Sequence, residues 1–160
     1  MSPLEQPATI DLGVVARLGA GVAVVVATPD LELRPTLARA WHPRIDAGGR
    51  RVTLCVEAPL GSPIRANLER RCALAATFVR PTTYRSVQVK GTVRDVRPST
   101  AEERRAVADH NAIFVDEVVE VGVPARVADR FLDDRELLAV TVDVRELYDQ
   151  TPGPAAGERL

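Results

Sequence analysis

Hydrophobic and polar positions alternate with period two through the stretch TTYRSVQVKG (82–91), which places Val87 and Val89 on one face and Tyr84, Ser86, Gln88 and Lys90 on the other. The stretch predicts a strand that runs on through TVRDVRP. Other strand patterns precede and follow it. GVAVVVATP reads as a fully buried strand ended by Pro29, and PTLARAWH and RRVTLCVE flank RIDAGG, which has hairpin chemistry. ALAATFVR is followed by a turn at RPTT, and LLAVTVDVRELY is the last strand. Helical spacing appears in four places. Leu12, Val15 and Leu18 lie on one face of TIDLGVVARLGA, with Asp11 as its cap. In GSPIRANLERRC, Ser62 caps, Pro63 suits the first turn, and Ile64 and Leu68 are four apart. PSTAEERRAVADHNAIFVDEV starts with Ser99 and Glu102 as a capping box behind Pro98, and PARVADRFL begins at Pro124. Pro and Gly make DQTPGPAAGERL an irregular tail.

The order is helix, three strands, helix, two strands, two helices, strand. Neighbouring strands joined by tight turns favour a six-stranded, largely antiparallel sheet, and their segregation from the helices gives an α+β, barrel-like single domain over 1–160. Composition narrows the function more than the fold. With 27% charged and 46% hydrophobic residues the chain reads as globular, and a net charge of −1 gives no electrostatic case for nucleic acid or an anionic membrane. GVAVVVA is too short to span a bilayer and the N-terminus has no signal-peptide pattern, so a cytoplasmic protein is expected. Cys55 and Cys72 lack metal-ligand spacing and lie far in sequence from His42 and His110, which predicts buried thiols and no metal site. Each histidine reads as structural, His110 as a surface or partly packed residue of the long helix.

The chain carries no Gly-rich phosphate loop, nucleophile elbow or HExxH motif. Three places keep a chemical reading. Arg39 sits between Leu37 and Trp41 on one strand face, so it either snorkels or binds an anion. The helix start at Ser62, with Arg65 and Asn67 nearby, offers backbone N–H groups to an anion. Gln88 and Lys90, the latter the only lysine in the chain, form either a solvated face or a ligand wall. Together they suit a phosphorylated, planar, hydrogen-bonding ligand.

The element order, the core RANLERRCALAATFVRPTTYRSVQVKGTVRDVRPST and the closing DQTPGPAAGERL resemble the pyridoxamine 5′-phosphate oxidase-like family of FMN-binding split barrels, from about Gly21 onward. The motifs that carry the resemblance are a helix with Ser62, Asn67 and Leu68, then a hairpin whose second strand holds Gln88 and Gly91. The resemblance implies a split β-barrel homodimer that binds FMN between subunits, with Gln88 contacting the isoalloxazine and Lys90 beside it. It further implies phosphate binding by Arg39 or Arg65, packing of Trp41 near the cofactor, and cover from the tail around Thr151. The expected activity is a flavin-dependent oxidation or reduction of a small molecule. True pyridoxamine phosphate oxidases have an Arg-Lys pair where this chain has Pro63 and Ile64, and their C-terminal substrate-pocket elements have no counterpart here. Vitamin B6 oxidation is therefore not expected. The alternatives are an F420-dependent reductase of the same fold, or a non-catalytic dimer that stores flavin or has lost it.

Overall fold

The computed structural model describes residues 11–128, 130 and 136–160. Six strands, β1 (Ala23–Pro29), β2 (Pro35–Ile45), β3 (Arg51–Glu57), β4 (Ala73–Val79), β5 (Ser86–Pro98) and β6 (Leu137–Asp149), pair only antiparallel. They close in the order β1-β2-β3-β6-β5-β4, with β4 returning to β1. The six strands and their helical flanks make the expected α+β split-barrel architecture. The barrel is closed, so no open sheet edge calls for the homodimer that the resemblance implies. Alternation accounts for the closure. Val24, Val26, Leu54, Ala76, Phe78, Val89 and Val140 all point inward and are at most 3% exposed, and each large side chain so buried contributes roughly 1.5–3 kcal/mol. Side chains fill a barrel this narrow, so a ligand has to bind on its outside.

Among the described residues four α-helices decorate the barrel: α1 (Gly13–Arg17), α2 (Pro63–Glu69), α3 (Ala101–Glu120) and α4 (Ala125–Ala128). In α1, Leu12, Val15 and Leu18 are buried as their spacing predicts. Leu12 is the N-cap, while the Asp11 carboxylate accepts from Gly13 N at 2.8 Å from just outside the helix. The predicted reach of α1 back to Thr9, and of α4 on through Leu132, falls partly outside the described residues. The capping box of α3 is one residue later than expected. Thr100 accepts from Glu103 N at 3.1 Å and Glu103 accepts from Thr100 N at 2.9 Å. Ser99 is buried instead, and its hydroxyl makes no capping hydrogen bond. α3 lies against the outer face of β2 over a second apolar cluster of Trp41, Cys55, Val107, Phe114 and Val118. His110, expected at the surface or partly packed, is buried in this layer. Its Nε2 is 2.8 Å from Val22 O, its ring meets Trp41 edge-on, and burial pushes its pKa down.

The hairpin between β2 and β3 is built by Asp46, whose carboxylate accepts from Arg50 N and Arg51 N. Tyr84 falls in the β4–β5 turn with φ of 57°, so the strand face begins at Ser86. The tail is less irregular than its composition suggests. It turns at residues 151–157 and returns beside β6, with Arg159 bridging Tyr148 and Leu160 N donating to Leu147 O at 2.9 Å.

Candidate functional site

Strand register turns the separate polar positions into a surface. One cross-strand row on the outer face runs Arg39, Val25, Thr77, Gln88, Tyr148 across β2, β1, β4, β5 and β6. The row beside it runs Leu37, Ala27, Ala75, Lys90, Glu146. Arg39 and Gln88 are three strand steps apart, about 14 Å at the usual spacing. Between them lies a shelf of small or apolar side chains, where Val25 is 44% exposed and Leu37 67%. Val87 and Val89 face the core, so Gln88 faces out, as period two requires. Gln88 Nε2 donates to Thr77 Oγ1 at 2.9 Å, which fixes the amide on the wall. Lys90 Nζ lies 4.8 Å from the Tyr148 ring centroid, a cation–π contact, and Tyr148 OH donates to Glu146. That hydrogen bond raises the phenol's pKa. Next to Lys90 the shelf dips into a groove of about 250 Å³ lined by Ala27, Pro29, Leu33, Ala75, Lys90 and Gly91.

The other expected site residues are placed differently. Ser62 caps α2, accepting from Arg65 N at 3.4 Å, and Pro63 occupies the first turn. The Arg65 guanidinium is held by Glu69 at 3.1 Å and Glu136 at 2.6 Å. Asn67 is 2% exposed and ties α2 to β1, donating to Thr28 Oγ1 at 3.1 Å while accepting from Arg70. Ile64 is part of the barrel core, so this backbone gives a cationic side chain no room there. Trp41 shares the strand face of Arg39, but α3 covers it and its Nε1 donates to buried Glu57 at 3.0 Å. Thr151 accepts from Ser86 N at 3.1 Å and donates to Ser86 O at 3.3 Å, pinning the tail beside the start of the wall. Arg39, Gln88 and Lys90 thus share one surface with Thr151 at its end. The α2 residues belong to the scaffold beneath.

Thr77, Tyr148 and Glu146 complete the wall and carried no signal of their own in the sequence. Threonine opposite glutamine becomes informative only once the β4–β5 register is known. His42 sits on a β-bulge in β2 with φ of 51°, beside Arg44. Among the described residues no group of three or more His, Cys, Asp or Glu could hold a metal ion, and no helix is long and apolar enough to cross a membrane.

No protein-family profile and no curated protein sequence matches the chain. Solved structures do. HupZ of Group A Streptococcus aligns over 92% of this chain and 100% of its own, with a TM-score of 0.54 at 15% identity. An F420 reductase aligns over 81% and 91%, with a TM-score of 0.53 at 19% identity. A pyridoxamine 5′-phosphate oxidase-related, FMN-binding protein of Nostoc punctiforme aligns over 97% and 87%, with a TM-score of 0.50 at 11% identity. At such identities the likeness is one of architecture. The closed six-stranded barrel, its helices and these structural likenesses together give the chain the split-barrel fold of the pyridoxamine 5′-phosphate oxidase-like flavin-binding proteins.

Proposed function

We propose that this protein binds FMN across the outer shelf and serves as a flavin-dependent oxidoreductase of a small-molecule substrate other than pyridoxamine phosphate. The observation that carries the reading is the cross-strand row with Arg39 at one side and Thr77-fixed Gln88 towards the other. The side chains fit such a ligand. Ala27 and Ala75 leave a flat apolar surface for a planar ring, Gln88 offers an amide to the ring's edge, and Arg39 supplies a cation for a phosphate. A bound flavin supplies hydride chemistry, and the protein's part is to place and tune it. Lys90, held over Tyr148, puts a positive charge where negative charge on the ring would be stabilised. The tail at Thr151, bonded to Ser86, would cover the end of the wall.

The groove of about 250 Å³ is smaller than the usual small-molecule site of roughly 300–1,000 Å³. A second copy of the chain, laid over exposed Val25 and Leu37, would complete it, so the functional unit is a homodimer. F420 is the second reading, favoured by the likeness to an F420 reductase and by the same flat shelf. Purified protein tests both. A yellow preparation that releases FMN on denaturation, or saturable FMN quenching, supports the first, and F420 binding with F420-dependent turnover supports the second. Protein that binds neither cofactor overturns the proposal. Binding without turnover from NAD(P)H or reduced F420 leaves a flavin carrier.

A further inference from the structure

Further along β5 and β6, these strands and β3 form a depression of about 740 Å³ lined by Arg51, Arg71, Val93, Arg94, Asp95 and Thr141. Three guanidinium groups meet in it. Arg51 Nε is 2.9 Å and Arg94 Nη1 3.3 Å from the same carboxylate, Asp143, which both arginines hold below the usual carboxylate range. Arg71 Nη1 donates to the carbonyl oxygen of Arg94, and its Nη2 reaches Asp95 only at 3.9 Å. Asp143 and Asp95 are the carboxylates that reach these guanidinium groups, and Asp46 acts on Arg51 from the β2–β3 hairpin. Each guanidinium carries five N–H donors, and these contacts engage a minority of them. A single carboxylate shared between two arginines also orients their forks into the same hollow. Ion pairing alone does not require this arrangement, because a one-to-one pairing would neutralise the surface at less mutual repulsion between cations.

We propose that this depression binds an organic phosphate with a polar body, its phosphoryl oxygens taken by Arg51, Arg71 and Arg94. Guanidinium forks match phosphate oxygens in pairs, and three of them with unused donors suit a dianion. The volume exceeds what an inorganic ion fills and falls within the range of small-molecule sites. The Thr141 hydroxyl, 2.9 Å from Thr53 Oγ1, provides a polar floor and not an apolar one. The depression shares no lining residue with the shelf, and the proposal does not rest on the flavin reading.

The test is a titration of the purified full chain with ribose 5-phosphate and with inorganic phosphate at constant ionic strength, followed by 31P line broadening. Ribose 5-phosphate should bind more tightly than inorganic phosphate. Arg51→Gln combined with Arg94→Gln should weaken it by at least about ten-fold, as expected for losing charged hydrogen bonds. Arg34→Gln, in the exposed β1–β2 turn, should change nothing. Thr141→Asp, which leaves the arginines in place but adds an anion to the floor, should abolish binding even if the double variant fails to fold. FMN affinity should be untouched in these variants and reduced in Gln88→Ala. No binding by about 10 mM, equal affinity across all variants, or loss of FMN and phosphate binding together in the arginine variant would each overturn the proposal.

Discussion

Gln88 and Val89 are chain neighbours on opposite faces of β5, and the difference can be measured. Val89 is fully buried, so Val89→Ala should destabilise the fold by roughly 1–3 kcal/mol, read by urea melts. Gln88→Ala should leave the melt nearly unchanged and weaken FMN binding by about 0.5–1.5 kcal/mol, the worth of one hydrogen bond. An unfolded Gln88→Ala protein would put the amide in the core and dismiss the wall. Glu103 gives a pH prediction. Arg97, bonded at 2.8 Å through both oxygens, leads the effects that hold its carboxyl at about 2, against an ordinary 4.5. Its stabilisation, on the order of 3 kcal/mol, is fully present above pH 4.5 and is lost as pH falls through about 2. Glu103→Gln should flatten that part of the stability–pH curve. Alternation made Gln88 and Val89 legible because period two is local. Trp41 was not legible, since only the docking of α3 decides that this outer-face residue is buried.

Among the elements, β5 and β6 meet through two register shifts, one between Lys90 and Gly91. A Cβ on Gly91 would stand 2.1 Å from Asp143 O, so β6 approaches there only because the side chain is absent. Gly91→Ala should force the strands apart and cost about 1–3 kcal/mol or more, with Lys90 moved off Tyr148. A wild-type melting curve from that variant would show the close approach to be dispensable. Element order and type followed from hydrophobic period and capping chemistry, yet the cap of α3 slipped by one residue. Ser99–Glu102 and Thr100–Glu103 satisfy the same spacing rule, and burial of Ser99 against the barrel decides between them. Cross-strand register stayed hidden for a different reason. Rows such as Val25, Thr77 and Gln88 join residues far apart in sequence, and no local pattern specifies their pairing.

At the scale of the molecule, exposed Val25 and Leu37 on a flat sheet face call for a covering surface. Light scattering should give a dimer at micromolar concentration with at least about 1,200 Å² buried. Leu37→Glu should yield a folded monomer with weakened FMN binding, whereas a wild-type monomer that still binds FMN would remove the second copy from the site. Closure of the barrel depends on β6. β6, last in sequence of the described strands, lies between β3 and β5, and its pairing with β3 joins residues such as Thr53 and Thr141. Until β6 is in place, the five earlier strands can form only an open sheet with β3 and β5 as bare edges. Such edges recruit other chains. During synthesis the nascent chain therefore carries two bare sheet margins until β6 has emerged to pair with both.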